Sequence, residues 1–178
     1  MSRKILDIPL GSVKERVVTF DSDTIVKGPL SADIFDVSQV KVRFNRDHDH
    51  SQHDPHFHRV GEYLRSRGCA TRVDDLNAGF VILDRCVLNP KAVEEFWMLL
   101  ARHGELHHLM EPDAYAVLAS PWRSEPPPDS FMVGARSWER ESRRSAVTLH
   151  FTTAIRYWDW TYLREGPRFL LRCAAGRR

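Results

Sequence analysis

Cysteine, long apolar runs and a secretory leader are what this chain has least of. Its 178 residues include three cysteines, Cys69, Cys86 and Cys173, far apart and with no Cys-x-x-Cys pair. That spacing argues against a disulfide framework or a structural zinc knot, and the thiols are expected to be reduced and mostly buried. No apolar run approaches the roughly 20 residues a membrane helix needs. The opening Met-Ser-Arg-Lys-Ile-Leu-Asp-Ile-Pro lacks the apolar core of a signal peptide. The expectation is a soluble cytoplasmic protein, or a nuclear one in a eukaryotic or viral setting, with no membrane partner. Lysine is absent from the last quarter: residues 136–178 carry ten arginines and four acids, a net +6 that leaves −4 for residues 1–135. Such asymmetry suits an anionic partner for the C-terminal part, or a solvated sheet face.

What is present is ordinary globular material, 42% hydrophobic and 28% charged, enough for one domain with a real core. The β-branched runs Val17-Val18-Thr19-Phe20 and Thr24-Ile25-Val26, separated by Asp21-Ser22-Asp23, read as an N-terminal hairpin within residues 1–38. Val40, Val42 and Phe44 alternate with polar residues and predict a strand near 39–45. Asp54-Pro55 is a helix-start signal, followed by Phe57, Val60 and Leu64 and closed by Gly68, so the spacing predicts a helix over 55–67. Strands are expected at 69–73 and 79–87, the second around the apolar run Phe80 to Leu83. Asn89-Pro90 opens a helix carrying Val93, Phe96, Trp97 and Leu100, and a strand is expected at 114–119.

That order, strand, helix, strand, strand, helix, strand, is the βαββαβ pattern. The fold expected is therefore α+β, a ferredoxin-like antiparallel sheet core over 39–120. Pro126-Pro127-Pro128 makes 121–130 a linker, and 131–178 reads as a basic β extension, with a last strand at 168–173.

Five of the nine histidines fall between Asn45 and Glu62. Imidazole and carboxylate at that density can hold a divalent transition metal such as Zn, Fe, Mn or Ni, with His48, His50, His53, His56, His58 and Glu62 as candidate ligands. His58 and Glu62 lie four apart on one helix face. The alternative is a solvated polar loop without fixed ligands. His56-x-His58-x-x-x-Glu62 resembles the first metal motif of cupins, which implies a β-barrel and a metal-dependent oxygenase. The helix signals around it depart from that family, and no second motif follows.

Leu149-His150-Phe151-Thr152 resembles one His-x-Thr element of the two-histidine phosphoesterases, which need a second copy that is not here. Ala78 to Leu83 resembles a degraded copy of the Gly-Phe-Val signature of the RNA-recognition motif. It lacks the base-stacking aromatics, so the resemblance implies topology rather than RNA binding.

In an extended segment 146–162, His150, Thr152, Arg156, Trp158 and Trp160 share one face, while Val147, Leu149, Phe151 and Ile155 share the other. Indoles, a guanidinium and an imidazole together suit base stacking or a protein hot spot. The sequence reading is accordingly a non-enzymatic module that binds an anionic protein or nucleic acid through that basic Trp/Arg face, with homodimerisation left open. The alternative is a small metal-dependent enzyme, a hydrolase or cupin-like oxygenase, with its site at 47–62.

Overall fold

The computed structural model describes residues 14–21, 24–30, 32–36, 38–46, 54–125 and 147–150, together with Pro167, Leu171 and Ala175. The strands are β1 (Arg16–Phe20), β2 (Thr24–Val26), β3 (Val42–Arg46), β4 (Leu76–Asp84), β5 (Ser124–Glu125) and β6 (Thr148–His150). The helices are α1 (His58–Ser66), α2 (Pro90–Arg102) and α3 (Met110–Ala119), with short 3-10 turns at Ala32–Phe35 and Arg85–Val87.

The main sheet is mixed and runs β1-β4-β3-β5. β4 pairs antiparallel with both β1 and β3, while β3 and β5 are parallel. β2 and β6 form a separate antiparallel pair. Helices cover one face. Val42 and Phe44 of β3 and Val81 and Leu83 of β4 join Val60 and Leu64 of α1, Val93, Phe96 and Leu100 of α2, and the body of α3 in one core. On the other face Phe80 and Ile82 pack with Ile34 of the first 3-10 turn, with Val147 against them. β4 is buried almost throughout because both of its faces are covered.

Local chemistry sets the helix ends. Asn89 caps α2, its Oδ1 accepting from the Ala92 amide at 3.1 Å, with Pro90 in the first turn. Gly68 and Gly104 close α1 and α2 at φ of +73° and +69°, where a side chain would be strained. Asp54 Oδ1 accepts from the His56 amide at 2.8 Å and so braces the turn that leads into α1.

The ferredoxin-like expectation is overturned. Residues 114–119 are helix, not strand, and 69–73 are irregular, so two of its four strands are missing. Asp113 through Ala119 are all buried. An unbroken apolar run carries no periodicity, and it forms a helix here because it is enclosed on every side. The N-terminal hairpin does not form either, since β1 joins β4 and β2 joins β6. Of the expected C-terminal β extension, 148–150 is strand, whereas Leu171, inside the expected 168–173 strand, is helical. Among the described residues no helix is long and apolar enough to cross a membrane.

Candidate metal centre

β3 ends at Arg46, and the chain is next described at Asp54, ahead of α1. At the same end of the helical layer, α2 stops at Gly104, and residues 105–109 carry the chain into α3, whose first turn holds Glu111 and Asp113. Asp54, His107 and Asp113 converge there, with one donor atom from each lying within 4.8 Å of the others. His107 Nε2 is 3.4 Å from Asp113 Oδ2, and Nδ1 is 4.0 Å from Asp54 Oδ1. Both aspartate side chains are fully buried, and that of His107 is 12% exposed.

The Leu109 amide donates to His107 Nδ1 at 3.2 Å, so in the neutral ring the hydrogen sits on Nε2, facing Asp113. Nε2 faces the Asp113 carboxylate at ion-pair distance, and Nδ1, which accepts from the Leu109 amide, is the ring nitrogen nearer Asp54. The two aspartate side chains give these three residues a formal charge of −2 with the ring neutral, and a buried charge is costly unless it is paired. Asp54 Oδ2 is buried with no hydrogen-bond partner among the described residues. Carboxylate and imidazole donors, with one buried Asp54 oxygen that has no hydrogen-bond partner among the described residues, fit a divalent cation.

The surroundings are ordered by ion pairs. Arg59 grips Glu105 with two bonds, Nε to Oε2 at 2.7 Å and Nη2 to Oε1 at 2.9 Å, and reaches Glu62 Oε2 through Nη1 at 2.6 Å. The Arg59 bond holds the Glu105 carboxyl down at about 2 and lowers that of Glu62 as well. His56 lies over His107, ring centroids 4.9 Å apart, with its Nδ1 3.7 Å from Glu105 Oε2.

Of the ligands expected from sequence, His56 therefore borders the cluster. His58 is exposed, its Nδ1 3.1 Å from the Pro55 carbonyl, and Glu62 is engaged by Arg59. His48, His50 and His53 lie outside the described residues, as do Thr152, Arg156, Trp158 and Trp160 of the expected binding face. His150 is buried. Its Nε2 lies 3.3 Å from Asp21 Oδ2, and its ring sits against Gly79 of β4 so closely that a Cβ there would fall on the imidazole.

Sequence reasoning missed all three residues of the cluster: it takes Asp54 as a helix-start residue and does not count His107 and Asp113 as candidates. The available signal was Glu111-Pro112-Asp113, acids and proline in a helix's first turn, which the strand assignment at 114–119 obscured.

No family model matches the chain, and no curated protein sequence matches it. Among solved structures it is similar to an active-site mutant of LgtC, a glycosyltransferase of GT-A, Rossmann-like fold, with a TM-score of 0.58 and 13% identity. The match covers 96% of this chain and 66% of that one, so the chain spans slightly less than two thirds of the LgtC length. At that identity the likeness is one of fold. It replaces the ferredoxin-like assignment, and the non-enzymatic binding module read onto that fold falls with it.

Proposed function

We propose that the chain is a divalent-cation-dependent enzyme that transfers a group, a sugar by analogy of fold, from a donor with a phosphate-type leaving group to a hydroxyl acceptor or to water, the acceptor losing its proton as the bond to phosphate breaks. The observation that carries this reading is the convergence of Asp54, His107 and Asp113 at a site where the buried Asp54 Oδ2 has no hydrogen-bond partner among the described residues. The fold likeness to a glycosyltransferase supports the choice of reaction class.

Asp54 and His107 Nδ1 would hold the cation. Nδ1 accepts from the Leu109 amide, so a cation beside Asp54 would take that lone pair in place of the amide, while Nε2 faces Asp113 Oδ2 at 3.4 Å. A cation held there supplies Lewis acidity, neutralising charge that develops on the departing phosphate oxygen. His56, between His107 and Glu105, covers the ring and limits the approach of water. Mn2+ suits this donor set, since carboxylates favour hard cations and imidazole favours first-row metals.

The test is turnover of a panel of nucleoside-diphosphate sugars, followed by release of the nucleotide. Expected is release with Mn2+ that stops in chelator and returns when Mn2+ is restored. Asp54→Asn should reduce kcat/KM by roughly 100-fold or more, because an amide keeps the turn-bracing acceptor and removes the charge. Absence of release from every donor in the panel, by wild-type protein loaded with Mn2+, would overturn the transfer reading.

A further inference from the structure

The cluster is assembled from two segments far apart in sequence. Asp54 precedes α1, and His107 sits in the connection between α2 and α3. Arg59 lies five residues after Asp54, on the first turns of α1, and Glu105 lies two residues before His107. Their fork is a two-bond guanidinium–carboxylate pair at 2.7 and 2.9 Å, with both side chains only 17% exposed. Such a fork fixes the relative orientation of its partners as well as their distance.

Both of its ends are themselves anchored. The Glu105 amide donates to the Leu100 carbonyl at 2.9 Å as the chain leaves α2 through Gly104, which sets the backbone from which both Glu105 and His107 depart. Arg59 belongs to α1, and its remaining terminal nitrogen is held by Glu62 one turn along.

We infer that Arg59 and Glu105 are positioning residues that set the separation of Asp54 from His107 and hence the affinity and geometry of the cation site. The inference rests on the cation-site reading above. The pair touches neither cation nor substrate. It acts by clamping the α1 start to the α2–α3 connection, and His56, lying between Glu105 and His107, is held over the ring by the same clamp. Lysine cannot reproduce the fork, because it offers a point charge where arginine offers two parallel donors. Arg59→Lys should therefore loosen the site although charge is conserved.

The experiment measures Mn2+ affinity by calorimetry and, separately, the melting temperature in chelator, for wild type, Glu105→Gln, Arg59→Lys and Asp54→Asn. Glu105→Gln and Arg59→Lys are each expected to weaken Mn2+ binding by roughly 10–100-fold, the range typical of groups that orient ligands. The chelated protein should still unfold cooperatively in both variants, with a fall in melting temperature of a few degrees at most, because Arg59 keeps its bond to Glu62 in the one and the positive charge is conserved in the other. The Co2+-substituted protein adds a signature, since its visible spectrum should change in the two variants as the ligand geometry relaxes.

If both variants bind Mn2+ with wild-type affinity, or melt lower with affinity unchanged, the pair is only a brace and the inference is overturned. In that case loss of binding in Asp54→Asn would leave the cation site itself standing. If wild type binds no Mn2+, the site and its positioning pair are overturned together.

Discussion

Tyr115 shows how much one side chain can say about the inside of this protein. It is 1% exposed in the middle of α3, and its hydroxyl lies 3.2 Å from Thr19 Oγ1 on β1, tying the helical layer to the sheet's edge strand. Burial pushes the phenol well above its ordinary 10.0. The folded protein therefore keeps the proton that the unfolded chain releases above that value. Stability is fully present below pH 10.0 and is lost as pH rises beyond it. Tyr115→Phe is expected to cost about 1 kcal/mol at neutral pH, the worth of a hydrogen bond. It should also abolish this residue's share of the alkaline loss, about 1.4 kcal/mol per pH unit. Urea denaturation of both proteins across pH 8 to 12 checks this; parallel pH profiles would show that the phenol is not buried as described.

At the scale of elements, the bulge in β4 is the feature that departs most from regular pairing. Phe44 lies opposite Val81, but the next residue, Asn45, lies opposite Asn77, so residues 78–80 of β4 have no partner on β3, although Phe80 still pairs with Phe20 of β1. The bulged segment is held from outside. The Asp21 amide and Thr24 Oγ1 both donate to the Gly79 carbonyl, at 3.0 and 2.8 Å, and Asn77 Oδ1 accepts from the Gly79 amide at 2.7 Å. His150 of β6 then packs on the space where Gly79 has no side chain, and Thr148 Oγ1 donates to Asn45 Oδ1 at 3.2 Å. Gly79→Ala is expected to destabilise the fold by about 1–3 kcal/mol through overpacking. Adding His150→Ala should recover part of that loss, so the two changes will not be additive in a denaturation cycle. Additivity would mean the strands do not meet there.

Elements with chemical punctuation were legible in the sequence. Asn89-Pro90 and Gly104 bracket α2, Asp54-Pro55 and Gly68 bracket α1, and alternation in Val42 and Phe44 marks β3. α3 was not legible, because a run apolar on all sides fits a central strand equally well. Pairing was not legible either, since nothing in Val17 to Val26 says that β1 and β2 join different sheets.

For the whole molecule, the consequence of misreading α3 was larger than one element. A strand at 114–119 completes a ferredoxin-like sheet and leaves His107 in a surface loop. A helix there turns Asp113 inward at the end of the layer where α1 begins, and Asp54 becomes a wall of a site as well as the brace of a turn. The histidines that dominate the composition of 45–62 drew attention to the right end of the fold, yet the convergent set takes only Asp54 from that stretch. Long-range convergence of this kind leaves no local pattern to read.

The central claim is that a divalent cation sits between Asp54 and His107 with Asp113 behind the ring. Its most direct test is an anomalous difference map recorded at the manganese edge on crystals of tag-free protein grown with Mn2+. The expected result is one strong peak within roughly 0.2 Å of the 2.0–2.2 Å that zinc keeps from carboxylate and imidazole, measured to an Asp54 oxygen and a His107 nitrogen, and no peak there in Asp54→Asn crystals. Well-ordered wild-type crystals with no peak at Asp54 and His107, or with anomalous density confined to other histidines, would contradict the account.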